Sequence, residues 1–358
     1  MLLARLKKLV TNKNKYYGKV KENVNMAELD IFNPQVSVIA DGLEGKVIFI
    51  YGSHSTGKTF QSVRFSKPYV IAAESGLNGQ AGVRFGRVTN WRGFTKIVKQ
   101  FTSPSTVEKA RAMYDTIIVD EVYATSLYCQ DYVKSTYGNG CLTLSGDPKN
   151  GIPNLYPVYE QEYFKQINLL TGAGFTVVFI GHQTDKDGQI YPKGDKRCLS
   201  PIIDFADYTV YLKSNGVDES GKVILSSAYL AETPEFFARS RFEGTPTMIE
   251  EFTVENLTKA IQEGIEAERA KGSEVVSFKE QQKNNATEEE KVSYEELMQN
   301  IKEVGNKIAK AGHKEVVTEV IEENLGVGKT FKDITKHQVD AAGMILDDLE
   351  AKLVELGL

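Results

Sequence analysis

Short runs of continuous apolar residues recur between residues 46 and 212, separated by stretches that suit helices. The runs are rich in β-branched and aromatic side chains, which favour strands. They do not alternate apolar and polar positions, which is typical of strands buried on both faces of a parallel sheet. Helix-compatible stretches lie between them, so the sequence predicts an α/β fold with a mainly parallel sheet. The predicted strands cover 46–51, 69–73, 116–119, 175–180 and 208–212.

The pattern changes towards the C-terminus. Residues 222–230 are expected to add an edge hairpin, and Thr253 is expected to cap an amphipathic helix over 254–271. Residues 279–290 are mainly polar and charged and are interpreted as a linker, after which apolar residues return at helical spacing. The predicted organisation is a basic arm, an α/β core, a helix, a linker and a helical accessory domain, over 1–37, 38–250, 251–272, 273–292 and 293–358.

Charge is unevenly distributed over the 358 residues, whose formal net charge is −5. Residues 1–25 hold seven Lys and Arg and one acid, whereas residues 273–358 hold eleven Lys and eighteen acids. A basic arm on an acidic body suits contact with a nucleic-acid backbone, and a solvated leader explains the same composition. The sequence leaves both interpretations open.

Cysteine content and hydropathy exclude some classes of protein. The three cysteines are odd in number and share no C-x-x-C spacing, so neither a disulfide framework nor a cysteine zinc site is expected. No apolar run approaches the length of about 18 residues that a membrane helix needs, and no secretory leader is recognisable. We therefore expect a reducing cytoplasm and no membrane partner.

Residues 52–59 match the phosphate-binding loop pattern G-x-x-x-x-G-K-[ST] without a mismatch. A predicted strand precedes the loop and a helix-compatible stretch follows it. Glycines let the backbone amides point at phosphate oxygens, the lysine supplies a mobile charge, and the terminal hydroxyl is a Mg²⁺ ligand. The sequence therefore predicts a site for ATP and Mg²⁺, with GTP left open. The predicted binding residues are Gly52, Ser53, His54, Ser55, Thr56, Gly57, Lys58 and Thr59.

Acidic side chains follow two of the predicted strands. Asp120 ends the run at 116–119 and is the second predicted Mg²⁺ ligand, while Glu121 is a candidate to polarise the attacking water. Glu74 ends the run at 69–73 and is expected to face the terminal phosphate, where it is a candidate to orient the nucleophile. A loop acid or helix cap is the alternative reading of Glu74.

A polar residue also ends the run at 175–180. His182 is positioned there to sense the terminal phosphate and to pass its presence to the following loop. A hydrogen-bonded structural histidine is the alternative. With Glu74 and Glu121, His182 completes the set of predicted catalytic residues.

Basic residues outside the arm are candidates for further contacts. Residues 184–201 are expected to form a long, flexible loop that binds DNA phosphate or reaches a neighbouring subunit's nucleotide, with a solvated hairpin as the alternative. Its candidate contacts to DNA phosphate are Lys186, Lys193, Lys196 and Arg197. Arg239 and Arg241 are candidate arginine fingers, supplied to the nucleotide in cis or in trans.

The order of these elements resembles the core of the RecA-type ATPases. Ile71-Ala-Ala-Glu74 resembles the strand that ends in their catalytic glutamate, and Ile117-Ile-Val-Asp120 resembles their Mg²⁺-site strand. Phe179-Ile-Gly-His182 resembles their sensor strand, where the family often has Gln. The Glu-Ser-Gly-Leu turn and Ala238-Arg-Ser-Arg241 look more like the phage ATP-binding proteins of the AAA_24 type, which include RecA-like single-strand annealing proteins. The resemblance covers residues 38–245.

The resemblance implies an ATPase that acts on single-stranded DNA in phage recombination or annealing, in the cytoplasm of a bacterial host. It also implies a homo-oligomeric ring or filament with nucleotide between subunits, and a single-strand-binding protein as a further partner. Two alternatives stay open. One is a replicative helicase-like motor. The other is a nucleotide-gated scaffold that recruits a partner through its helical tail.

Overall fold

The computed structural model describes residues 32, 34–285 and 293–358. The described residues divide into two compact units, one over residues 32–285 and one over residues 293–358. Residues 1–31 and 33 of the predicted basic arm lie outside the described residues, so the arm stays a prediction.

The five predicted strands are confirmed, and most of their ends lie within about one residue of the predicted ends. Further strands join them. The strand that ends in His182 is the exception, because it continues to Lys186. The strands are β1 Ile39–Ala40, β2 Val47–Gly52, β3 Pro68–Ala72, β4 Phe85–Arg87, β5 Thr116–Asp120, β6 Thr176–Lys186, β7 Gln189–Pro192, β8 Tyr208–Lys213, β9 Ser227–Tyr229, β10 Arg239–Ser240, β11 Met248–Ile249 and β12 Val275–Val276.

The helices of the described residues follow the predicted alternation with strands. Thr253 caps its helix as expected, since its hydroxyl accepts the Asn256 N–H at 3.1 Å. The helices are α1 Lys58–Ser62, α2 Trp91–Thr102, α3 Val107–Met113, α4 Val122–Tyr137, α5 Tyr156–Gly172, α6 Lys196–Phe205, α7 Val254–Ala270, α8 Phe278–Asn285, α9 Tyr294–Lys310, α10 Lys314–Leu325 and α11 Val339–Glu355.

The main sheet has the order β11-β9-β8-β2-β6-β5-β3-β4. All neighbours from β8 to β4 pair in parallel, while β9, β10 and β11 extend the β8 end in antiparallel fashion. The predicted edge hairpin at 222–230 is confirmed in part, because β9 pairs with β8 there. One strand, β6, separates β2 from β5, so the ends of all three lie at one edge of the sheet.

The sheet is buried on both faces, which explains the continuous apolar runs. Along β2, Phe49 and Tyr51 join a core with α2, α4, α5 and α6, whereas Ile48 and Ile50 join a second core with α7. Successive side chains of a strand point to opposite faces, so one run of apolar residues supplies both cores.

Residues 275–285, which the sequence assigns to a linker, instead form β12 and α8. β12 pairs in parallel with β1, and Gln281 Nε2 donates to the Val38 carbonyl at 2.8 Å. The Phe278 ring packs on Gly45, where a Cβ atom would come within 2.0 Å of it. The linker prediction is wrong here because polar side chains of α8 donate hydrogen bonds to backbone carbonyls of residues that lie far away in sequence.

The second unit consists of α9, α10 and α11. Ser293 caps α9 by accepting the Glu296 N–H at 3.2 Å. Side chains at helical spacing, including Leu297, Ile301, Ile345 and Leu349, form its core. Residues 326–330 form a turn after α10.

Candidate nucleotide-binding site

The predicted phosphate loop lies between β2 and α1. β2 ends at Gly52, and α1 begins at Lys58 after Gly57, whose φ of 84° suits a residue without a side chain. A Cβ atom on Gly52 would come within 2.6 Å of the Leu212 carbonyl oxygen, so β8 approaches too closely for another residue. Inside the loop, the Thr56 hydroxyl donates to the Ser53 carbonyl at 3.0 Å. These contacts hold the loop as a compact turn at the end of the buried strand.

The Lys58 ammonium group lies inside this turn. Its Nζ atom donates to the carbonyl oxygens of Gly52 at 3.1 Å and Ser53 at 2.6 Å. Burial lowers the pKa of Lys58 to about 8, against the opposing attraction of Asp120 and Glu121. A lysine that is buried and held only by neutral carbonyls gains strongly from a bound anion, because an anion compensates the desolvation of its charge.

Thr59 joins the loop to the end of β5. Its hydroxyl donates to Asp120 Oδ2 at 2.8 Å, and burial raises the pKa of Asp120. A Cβ atom on Gly76 would lie 3.0 Å from the same oxygen, so the turn after β3 covers the pair closely. A hydroxyl and a carboxylate are the hard oxygen ligands that Mg²⁺ prefers, so these residues fit that ion.

Glu74, Glu121 and His182 come together beside this pair. His182 Nε2 lies 3.7 Å from Glu74 Oε2 and 3.6 Å from Glu121 Oε2. Glu121 is buried and its Oε2 atom has no hydrogen-bond partner among the described residues. Burial raises the pKa of Glu121, and the nearby Glu74 carboxylate raises it further. A carboxyl group whose pKa lies near neutral pH is able both to accept and to release a proton there, which acid–base catalysis requires.

His182 also contacts the phosphate loop. Its ring centroid lies 4.1 Å from that of His54, a loop residue. Burial lowers the pKa of His182, and the charges of Lys58 and His54 lower it further, which favours the neutral imidazole. A neutral imidazole donates through one ring nitrogen and accepts through the other, so this residue joins the loop to the two acids without adding charge.

One residue near the acids was assigned differently by the sequence. Lys193 was a candidate DNA contact, but its backbone N–H donates to the His182 carbonyl at 2.8 Å. Its ammonium lies 4.5 Å from the centre of the Tyr123 ring, and its charge lowers the pKa of Glu121 against the larger effect of burial. No local sequence pattern predicts that Lys193 lies near Glu121, because the β6–β7 hairpin brings it there. Gly76 also lies near the site, and it belongs to the Glu-Ser-Gly-Leu turn that the sequence shows after β3.

The expectation of a long, flexible loop over 184–201 is wrong, since the segment forms the β6–β7 hairpin and the start of α6. Lys186 is near the hairpin tip, with its ammonium 5.1 Å from the Tyr191 ring centre. Lys196 is the first residue of α6. Arg197 pairs with Glu160 at 3.6 Å. Antiparallel pairing of β6 with β7 gives the segment regular structure.

Arg239 and Arg241 lie far from the phosphate loop of their own chain. Arg239 pairs with Thr209 at the start of β8, whereas Gly52 is aligned with Leu212 near its end. The Arg241 guanidinium donates to the carbonyls of Asp204 and Ala206. Thr209 and Leu212 are three residues apart, so their positions are about 10 Å apart along β8. A finger acting in cis or in trans stays a prediction, and this placement favours one acting in trans.

The parallel sheet, the loop between β2 and α1 and the adjoining Asp120 define a P-loop nucleotide-binding domain. The AAA_24 family model, described as an AAA domain, matches residues 44–242, which is more than half of the chain. The chain therefore belongs to the AAA_24 family, whose AAA domain implies a P-loop NTPase.

A relative from Bacillus subtilis strain 168 is similar to this chain over nearly its whole length. The SPbeta prophage-derived uncharacterized protein YorG is 50% identical over 329 residues, which cover 91% of this chain and 99% of that protein. Among the residues that the structure describes, no helix is both long enough and apolar enough to span a membrane.

Proposed function

We propose that this protein is a Mg²⁺-dependent ATPase with a RecA-like core, and that it acts on single-stranded DNA in phage recombination or annealing. The observation that carries the proposal is the Thr59–Asp120 hydrogen bond of 2.8 Å, which joins the phosphate loop to the second strand end. The three residues Glu74, Glu121 and His182 lie beside it. Phosphate binding, metal binding and proton transfer are thus available at one edge of the sheet.

Binding begins at the loop. Its backbone N–H groups and the N-terminus of α1 are suited to phosphate oxygens, and the buried Lys58 adds a positive charge. Thr59 and Asp120 are the residues that would hold Mg²⁺. The ion, when bound, neutralises charge on the phosphate oxygens.

Hydrolysis requires that water be oriented and lose a proton. Glu121 is the stronger candidate for the proton acceptor because it is buried, unpartnered and raised in pKa. Glu74 is about half exposed, with 44% of its side chain accessible, and is suited to orienting the water. His182 lies within 4 Å of both acids and continues into the β6–β7 hairpin, so it connects the reaction site to that hairpin.

The proposal includes a ring or filament of identical subunits. Arg239 and Arg241 lie away from their own loop, which suits a contribution to the site of a neighbouring subunit. A single-strand-binding protein is proposed as a further partner. The phage setting rests on the name of the YorG relative, which is described as prophage-derived.

The test is ATP turnover with and without single-stranded DNA, for the wild type and for Lys58→Ala. We expect the wild type to turn over ATP faster with DNA, and the variant to lose turnover in both conditions. Lys58→Arg, which keeps a charge but not the compact ammonium, is a matched variant and is expected to lose turnover as well. A wild type without turnover in either condition would replace the proposal with a nucleotide-gated scaffold.

A further inference from the structure

Basic residues are concentrated in residues 60–107, in addition to those at 184–201. Residues 60–107 contain seven Lys and Arg but one acid, Glu74, in a chain whose net charge is −5. All seven basic side chains are exposed. They lie on the connection from α1 to β3, at β4 and on α2, and β3 and β4 form one end of the main sheet.

Three of these side chains line one cleft. Arg64, Lys67 and Arg84 surround a cleft of about 540 Å³, together with the turn at 80–83. Lys67 pairs with Asp115 at 3.1 Å, whereas Arg64 and Arg84 have no carboxylate partner among the described residues. Arg84 instead lies 5.8 Å from the Tyr114 ring centre. Two uncompensated guanidinium groups in one cleft attract an anion with several charges.

Two exposed aromatic rings belong to residues near the arginines of the cleft. Phe60 is 46% exposed and Phe85 is 53% exposed, although both are large apolar residues. The Arg64 guanidinium lies 3.5 Å from the centre of the Phe60 ring, so a charge and an aromatic face are presented together. Phe85 is the first residue of β4 and follows Arg84 directly in the sequence. Aromatic faces beside cations are the arrangement that binds unstacked bases and the phosphates between them.

The charge continues on both sides of β4. On α2, Arg92, Lys96 and Lys99 are spaced at helical intervals and are exposed. α2 packs against β4, since a Cβ atom on Gly86 would come within 2.7 Å of Ile97 Cδ1. Arg87, at the end of β4, lies 3.4 Å from the Ser75 hydroxyl, one residue after Glu74. The basic surface therefore reaches the turn that carries a proposed catalytic acid.

We propose that this basic edge, defined by Arg64, Arg84, Arg87 and the exposed Phe60 and Phe85, binds single-stranded DNA. The inference rests on the proposed function, because it assigns a surface to the DNA partner that the function requires. It differs from the sequence prediction at 184–201, where Arg197 is paired with Glu160 and Lys193 lies beside Glu121. DNA on this edge lies next to the Glu74 turn, which provides a direct route for DNA to alter hydrolysis.

The experiment measures binding of a fluorescein-labelled thirty-nucleotide thymidine strand by anisotropy between 50 and 300 mM salt. The full-length wild type is compared with R64Q/R84Q and with K186Q/R197Q, which removes the same charge from the other candidate surface. Each phosphate contact on a single strand contributes a salt slope of about −0.7. R64Q/R84Q is therefore expected to reduce the slope by about 1.4 and the affinity about 25-fold at 0.1 M salt. K186Q/R197Q is expected to bind like the wild type.

Phe85→Ala tests the aromatic contribution separately. It is expected to weaken binding roughly tenfold with an unchanged salt slope, and Phe85→Tyr is expected to restore binding, since stacking needs only the ring. Binding of a fluorescent ATP analogue is measured for every variant, and unchanged affinity shows that the P-loop domain is folded.

Three results would overturn the inference. If K186Q/R197Q loses DNA binding and R64Q/R84Q keeps it, the basic edge is discarded while the proposed function stands. If the wild type binds no DNA, both this surface and the DNA part of the proposed function are wrong, and ATP turnover is judged by the Lys58 test alone. If R64Q/R84Q changes the oligomer mass by light scattering without changing DNA affinity, the edge is a subunit contact.

Discussion

Nε2 of His182 lies 3.6 Å from Oε2 of Glu121, across the ends of two neighbouring strands. The contact brings the residue proposed to accept a proton next to the residue proposed to sense the terminal phosphate. Since His182 is followed directly by the β6–β7 hairpin, a change at the phosphate is able to reach that hairpin through one side chain.

Replacing the two acids separately should distinguish their roles. Glu121→Gln is expected to lower ATP turnover at least about 100-fold, because a positioned general base contributes that much or more. Glu74→Gln is expected to lower it less if it only orients water. Both variants should bind ATP within a few-fold of the wild type, measured with a fluorescent analogue. Equal turnover of Glu121→Gln and the wild type would remove Glu121 from the mechanism.

The Thr59 hydroxyl should couple nucleotide affinity to Mg²⁺. Thr59→Ala removes the group that donates to Asp120 and is expected to abolish the gain in ATP affinity on adding Mg²⁺. Thr59→Ser keeps the hydroxyl and is the matched control, expected to retain most of that gain. Titration calorimetry with and without Mg²⁺ measures the effect. A full Mg²⁺ response in Thr59→Ala would place the ion elsewhere.

Gly52 should tolerate no side chain. Gly52→Ala places a Cβ atom 2.6 Å from the Leu212 carbonyl and is expected to destabilise the protein by about 1–3 kcal/mol. Gly79 has no atom within 4 Å of such a Cβ, so Gly79→Ala is the control, expected to change stability by less than about 0.5 kcal/mol. Thermal or urea unfolding reports both. Equal stability of the two variants would contradict the close packing of β2 and β8.

Asp207 should give stability a pH dependence away from the nucleotide site. Its Oδ2 atom accepts the Val47 N–H at 2.9 Å, and burial raises the pKa of Asp207 despite the nearby Lys46. Because the folded pKa exceeds the unfolded value, the native state binds more protons between the two values. The stability that Asp207 contributes therefore falls as pH rises through that window, and it levels off above the folded pKa.

Asp207→Asn tests this, because the amide does not titrate. The stability of Asp207→Asn minus that of the wild type should become more positive from about pH 4 upward and then level off. Urea unfolding at several pH values measures the difference. A difference that does not change with pH would show that the carboxyl group has the same pKa in both states.

Local sequence patterns predict much of the fold. The five predicted strands, the helix capped by Thr253 and the loop before Lys58 are all signalled by residues within a few positions of one another. The linker at 279–290 and the loop at 184–201 were misjudged where structure depends on distant partners. Gln281 of α8 donates to Val38, and the β6–β7 hairpin turns Lys193 back towards His182. Polar composition alone does not reveal such partners.

The strand–loop–helix unit at 47–62 and the acid at the end of β5 can be predicted from local sequence, because backbone conformation and burial there are encoded by neighbouring residues. The meeting of Glu74, Glu121 and His182 at one edge depends instead on the position of β6 between β2 and β5, which no local pattern reveals. Likewise, Arg64, Lys67 and Arg84 share one cleft only in the folded chain. Strand order follows from packing both faces of the sheet at once, and that packing depends on residues far apart in the chain.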